Sequence, residues 1–507
     1  MAAQTVNERV TEGESLGRSA VLSFLGRGVS AAFTAGLTLV LVRALHPATY
    51  GMFALAVGIS DLVLLPADAG LSGAAARFLA QHRGDAAALS RLAGRTAAFK
   101  ALAVTATAVA LFALAVPLAH AYHTPALVWP LRAVSVAMAG QSFFGFYAAA
   151  FMAVQRAGLA LRLLVAESAI EFTASVTLVL LGGGATGAVA GRSAGYVCGA
   201  IIGWLLMRRF LGPRARAATP VHSPSLRGLL RYAGALAVIN AVSTAIFQVD
   251  LIIIGAVLGT AAVGVFQAPL KLTLFLAFPA LAAAKAVAPR LARTVDGGGG
   301  RVDAFAGALR MMLLSYAILI GPIIVWARPI NDLILGSRYA AAARVVQLLV
   351  PYLYLLGVAT LLSEGVTYFG EARRRLIVSA LALIVNAGLD LLLLPSVGVT
   401  GASWATDAGF IVMVAGLLWT CRVEIGLQLR PLLITAIRSI GAAAIVWLVL
   451  TLLGGPHMSV PVAIIAVAVI LPVFLGSLLL SGEIRRHEVA AWWRAGRRMI
   501  DRTVGRN

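Results

Sequence analysis

The sequence predicts an all-α, polytopic integral membrane protein of about 14 transmembrane helices. Three observations carry this. The 507 residues are 60% hydrophobic and only 12% charged, with a mean hydropathy of +0.93, a composition foreign to soluble domains. The apolar residues fall in blocks of roughly 20, the length an α-helix needs to cross about 30 Å of hydrocarbon. Short basic or Gly/Pro-containing breaks divide the blocks.

Taken in order, residues 1–18 form a polar tail carrying Glu8, Arg9, Glu12, Glu14 and Arg18. No short apolar segment with a small-residue cleavage site follows, so no cleaved signal peptide is expected. Spans are expected at 19–44, 50–71, 96–118, 127–152, 159–181 and 186–207, and a basic loop covers 211–228. A second series runs 229–258, 261–287, 309–326, 345–369, 376–394 and 400–421, followed by a final pair at 432–453 and 460–480. Residues 482–507 form a basic tail. Trp492, Trp493, Gly496, Met499 and Ile500 share one helical face there, with Arg485, Arg486, Arg494, Arg497 and Arg498 around the rest, the pattern of an interfacial helix. Cys198 and Cys421 both lie in apolar runs and read as small packing residues, with neither a disulfide nor a CxxC site on offer.

Lys and Arg in short loops are retained on the cytoplasmic side. With the N-terminus inside, nearly all of the 41 basic residues fall on that side. With Lys100, Arg162, Arg231, Lys285, Arg310 and Arg438, which lie near the cytoplasmic ends of their spans, counted on that side, the exceptions are Arg43, Arg328, Arg338 and Arg344 outside, and Arg27, Arg132, Arg192 and Lys271 within spans. Both termini are therefore expected in the cytoplasm, in a plasma (inner) membrane. The net charge of +21 is spread over loops that face an anionic leaflet, which argues against nucleic acid as a partner and for the lipid bilayer.

The turn "LHPATYGMF" at 45–53 returns as "LGTAAVGVF" at 258–266. A fixed shift of 213 residues superposes Leu45, Gly51, Phe53, Pro66 and Arg77 on Leu258, Gly264, Phe266, Pro279 and Arg290. At a shift of 214, "GATGAVAGRSAGY" meets "GVTGASWATDAGF". The chain thus reads as two six-helix lobes, 19–210 and 229–422, with the pair at 423–481 appended. An even number of spans keeps the lobes parallel, related by an axis along the membrane normal, as in transporters that hold substrate between halves.

Three segments carry a family resemblance: "RALHPATYGMFAL" followed by "DAGLSGAAARFLA", "VDLIIIGAVLGTAAVGVFQAPLKL", and "VNAGLDLLLLPSVGVTGASWAT". The last looks like an N-x-x-L-x-x-x-L-I-P-x-x-G-x-x-G-A-A pattern, with Asp390 and Ser403 as departures. The chain resembles the Wzx-like flippases of lipid-linked oligosaccharides, within the multidrug/oligosaccharidyl-lipid/polysaccharide exporter (MOP) superfamily that also holds the lipid II flippases. The resemblance implies transfer of an undecaprenyl-phosphate-linked sugar unit to the outer leaflet, with other polysaccharide assembly proteins as partners. It also implies a cavity lined by spans one, two, seven and eight, and a lipid groove beside the final pair.

Independently of any family, a charge inside the membrane should face a cavity or find a partner. Arg27 lies about 10 Å from the cytoplasmic end of the first span, within reach of the depth of Asp61. It reads either as a phosphate-gripping cation, since guanidinium offers paired donors to phosphate oxygens, or as a structural partner of Asp61. Asp250 and Lys271 sit at nearly one depth on adjacent spans and are expected to form an ion pair, one that could line the cavity and open to anionic cargo, so Arg27, Asp61, Asp250 and Lys271 are the candidate substrate-binding residues. Asp390 and Asp407 match in depth across a hairpin, and two close carboxylates in low dielectric should not both stay ionised. They read as a proton-coupling pair or as packing around one shared proton. Glu167, Glu171, Arg132 and Arg192 are expected to form a further network in the first lobe.

No G-x-x-x-x-G-K-[ST] sequence is present to hold nucleotide phosphates, so a secondary transporter is expected rather than an enzyme. No catalytic residue, metal or cofactor is expected; coupling to membrane potential, H+ or Na+ stays open. "GGGATG" at 182–187 and "GGGG" at 297–300 read as a hairpin turn and a flexible loop, and His120 with His123 as solvated interfacial residues. A membrane glycosyltransferase would need an acid-bearing outer segment, yet 327–344 offers only Asp332. A cation-coupled multidrug and toxin exporter of the same superfamily is the alternative, disfavoured because the first span carries Arg27 and no acid.

Overall fold

The computed structural model describes residues 16–83, 85–217, 226–273, 299–457 and 460–485. Among them the regular structure is helical: α1 Leu16–Ala44, α2 Pro47–Asp68, α3 Leu71–Gln81, α4 Ala86–Ala121, α5 Val128–Ala153, α6 Ala157–Leu178, α7 Gly184–Ala217, α8 Leu226–Leu258 and α9 Thr260–Thr273. There follow α10 Gly299–Ala317, α11 Ile320–Ile334, α12 Ala342–Leu348, α13 Val350–Tyr368, α14 Ala372–Val397, α15 Val399–Ile425, α16 Leu429–Leu452 and α17 Val460–Leu480. Ten helical stretches among the described residues are long and apolar enough to cross a membrane, and Gly28–Ala44 and Ile464–Leu480 are shorter apolar helices. This is a polytopic helical membrane protein. The eighth expected span is described only as far as Thr273, and Pro279, Arg290 and the basic tail beyond Arg485 lie outside the described residues.

Local chemistry sets the helix ends. Pro47 starts α2, where its missing N–H costs nothing. The helix stops where Ala69 and Gly70 take left-handed φ values of 42° and 71°. Asp85 caps α4 by accepting the backbone N–H of Ala88 at 2.9 Å. Helices α6 and α7 are one continuous turn-back through the π-helical segment Val179–Gly183. Two expected spans are broken: α10 gives way to α11 near Leu319, and α12 to α13 at Leu349. Hydropathy is blind to such breaks because the residues on either side are equally apolar.

By contact the chain divides into two compact units, residues 1–272 with 387–402, and residues 273–386 with 403–507. In the first unit, α7 lies along α6. Glycines at four-residue spacing, Gly187, Gly191, Gly195, Gly199 and Gly203, face that helix or α5. A Cβ on Gly195 would stand 2.7 Å from Cβ of Glu171, and one on Gly191 would overlap the backbone of Ser175. The hydroxyl of Ser175 donates to Ala188 O at 3.0 Å across the same seam. This is close small-residue packing of membrane helices. Near the basic end, buried Lys100 of α4 donates to Asp68 and Ser72, tying together α2, α3 and α4 across the Ala69–Gly70 break.

The two repeated turns meet inside this unit. A Cβ on Gly51 would overlap the carbonyl oxygen of Thr260, and one on Gly264 would overlap that of Pro47. Thr260 is the counterpart of Pro47 at the 213-residue shift, so the contact is reciprocal. In the second unit, Tyr316 and Phe305 of α10 lie against Gly357 and Gly365 of α13, and Gly321 of α11 lies against the backbone of Trp447 in α16. Glu483, just past α17 and 7% exposed, accepts from Thr435 Oγ1 at 2.6 Å, Arg310 Nε at 2.9 Å and Arg438 Nη1 at 3.3 Å, which fastens the end of α17 to α10 and α16.

Candidate functional site

The ionisable side chains of the first unit gather along the inner faces of α2, α6, α7 and α9. Arg192 of α7 donates from Nη1 to Glu171 Oε1 of α6 at 2.7 Å, and its guanidinium carbon lies 4.8 Å from the ring centroid of Tyr196. The glycine seam makes this meeting possible: Arg192 follows Gly191, Tyr196 follows Gly195, and both glycines bring α7 onto the α6 backbone. Glu167, one turn below Glu171, accepts from Ser168 Oγ at 3.1 Å and senses the charges of both Glu171 and Arg192.

Asp61 of α2 is held by neutral amides. Gln141 Nε2 of α5 donates to Oδ1 at 3.3 Å, and Gln248 Nε2 of α8 donates to Oδ2 at 3.1 Å. Arg192 and Lys271 both act on Asp61 electrostatically, and Lys271 lies within the field of Arg192. These groups sit deep within the unit, yet Asp61, Gln141, Arg192, Gln248 and Lys271 are all only partly buried. The cluster sets two cations, Arg192 and Lys271, against the amide-held carboxylate of Asp61 and the carboxylate of Glu171 that pairs with Arg192. The side chain of Arg27 lies outside the described residues.

Pairing differs from the sequence expectation at three places. Lys271 and Asp250 do not pair: Lys271 interacts electrostatically with Asp61 and Arg192, while Asp250 meets the carboxyl group of Asp390. Asp390 is fully buried, and no donor among the described residues reaches either of its carboxyl oxygens. Nor does Asp390 pair with Asp407. Asp407 accepts the backbone N–H of Tyr352 at 2.8 Å, capping the first turn of α13, where such donors lack an intrahelical partner. Finally, Glu167, Glu171 and Arg192 do form a network, but Arg132 stands apart between the rings of Phe112 and Trp129. Residue counting along a helix gives depth, while helix rotation decides which neighbour a side chain meets. Gln141 and Gln248 were missed altogether, since an amide in an apolar span carries no charge signal. The four-residue glycine ladder was a readable sign of the α7 seam.

Ten apolar helical stretches and a polar cluster inside the first unit define the class, a polytopic membrane protein with no strand among the described residues. The model of the family described as "Polysaccharide biosynthesis protein" matches residues 16–295. The match spans more than half of the chain, which belongs to this family. No curated protein sequence matches it. Among solved structures, it is similar to a lipid II flippase MurJ in an inward closed conformation, with TM-score 0.68 at 13% identity, covering 92% of this chain and 99% of that one. An inward-facing multidrug resistance MATE family transporter of the MOP superfamily gives TM-score 0.62 at 15% identity, covering 78% and 94%. A MOP superfamily transporter from Pyrococcus furiosus, described as having a binding pocket of reverse polarity, gives 0.56 at 14%, covering 83% and 96%.

Proposed function

We propose that this chain flips an undecaprenyl-phosphate-linked oligosaccharide, the repeat unit of a polysaccharide or a similar cell-envelope precursor, from the inner to the outer leaflet of the plasma membrane by alternating access. Its termini are cytoplasmic, and other polysaccharide assembly proteins supply and take up the glycan. The observation that carries this reading is the deep placement of Arg192 and Lys271 around amide-held Asp61. Among the described residues Lys271 has no carboxylate at ion-pair distance and lies within the fields of Asp61 and Arg192, so an entering pyrophosphate can serve as its counter-ion. Membership in a polysaccharide biosynthesis family and the likeness to a lipid II flippase support the same substrate class.

The carboxyl groups of Asp250 and Asp390 face each other, and two close carboxyl groups in low dielectric favour a shared proton or a bound cation, which supports coupling to H+ or Na+. That acidic pair is also what favours the second reading, a MATE-type cation-coupled drug exporter. Flipping of a pyrophosphate-linked polyprenyl lipid in proteoliposomes separates the two. Lys271→Gln removes a charge-assisted contact of about 1.5–3 kcal/mol and should slow flipping at least tenfold at unchanged protein level, with Lys271→Arg retaining part. Efflux of cationic dyes without lipid flipping would establish the exporter instead.

A further inference from the structure

Arg132 is the fifth residue of α5, at the end of the helices that carries the 45–53 turn. Its guanidinium carbon stands 5.0 Å from the ring centroid of Phe112 on α4 and 5.2 Å from that of Trp129 on α5. Both rings face outward, Phe112 being 47% and Trp129 63% exposed, and their helical neighbours Val109 and Val136 are outward as well. Among the described residues no carboxylate pairs with this guanidinium and no acceptor meets it. Nε is sealed without a hydrogen-bond partner, whereas the terminal nitrogens are not.

A cation on a lipid-facing surface without a counter-charge is costly. The two rings attract it through their π-faces but accept no N–H hydrogen bond of ordinary strength. The acceptor that a bilayer supplies next to such a surface is a lipid phosphate, whose oxygens match the paired donors of a guanidinium. Trp129 and Phe112 then flank the glycerol or polyprenyl stem below it. We propose that Arg132, Trp129 and Phe112 form a binding site for lipid-borne phosphate on the outward face of α4 and α5. Two sources share that chemistry, a resident anionic phospholipid and the polyprenyl phosphate moiety of the transported lipid.

Native mass spectrometry of the full chain tests the site with three probes: phosphatidylglycerol, undecaprenyl phosphate and phosphate-free diacylglycerol. Arg132→Gln should weaken retention of the phosphate lipids by roughly fivefold, the effect of one cation near a lipid surface, with Arg132→Lys intermediate and diacylglycerol unaffected. Stronger retention of undecaprenyl phosphate assigns the site to transported lipid; equal retention assigns it to a resident phospholipid. Trp129→Ala alters an exposed side chain while leaving the charge in place, and should also weaken retention by about twofold. Unchanged retention in both variants would overturn the proposal. Lipid retention is read without transport, so this site can fail while the flippase reading stands.

Discussion

At the scale of single residues, the membrane-embedded acids do three different jobs although the sequence writes them alike. Glu171 positions Arg192, Asp390 faces Asp250, and Asp407 closes a helix terminus. The last role makes a clear prediction. Asp407→Ala leaves the Tyr352 N–H without its acceptor in a buried setting and should lower stability by about 0.5–2 kcal/mol, read as a drop in Tm of the detergent-purified protein. Asp407→Asn keeps a carbonyl acceptor and should retain both Tm and transport. Loss of transport in the Asn variant at full stability would instead make Asp407 a titrating group.

At the scale of elements, the α6–α7 seam builds the candidate site. Five glycines four residues apart give α7 a flat stripe, and the side chains that follow two of them, Arg192 and Tyr196, are thereby set against Glu171. Gly191→Ala places a methyl group on the Ser175 backbone. Helix separation should cost about 1–3 kcal/mol, as overpacking does, with loss of transport through displacement of Arg192. Gly234→Ala on α8, where a Cβ would meet nothing within 4 Å, is the matched control and should be neutral in thermal stability. Equal Tm for the two variants would show that the seam tolerates a wider spacing.

At the scale of the whole molecule, orientation is a matter of charge. An impermeant thiol reagent added outside cells should label an introduced cysteine at Ser337 and miss one at Ser225, since its charge predicts the retained side for the basic loop 211–228. The opposite labelling would invert the topology and with it the direction of the proposed flip. The repeat belongs to this scale too. Gly51 and Gly264 are equivalent in sequence, and each leaves room for the other's turn, so the two repeated turns pack on each other.

The sequence by itself determined the helical membrane class, the positions of most spans and the repeated turn, because hydropathy and residue spacing act locally and survive without knowledge of neighbours. It also gave the depth of each charge, at about 1.5 Å per residue. Only the tertiary structure decided which charges meet. Each residue turns a helix by about 100°, so an uncertainty of two residues in a span end moves a side chain to the far face. Asp250 thereby faces Asp390 rather than Lys271, Asp407 serves α13, and Arg132 looks outward between two rings instead of inward to Glu171. Azimuth is set by packing, here by glycines that admit one neighbouring backbone and by side chains that fill the rest, and packing is a property of the assembled helices.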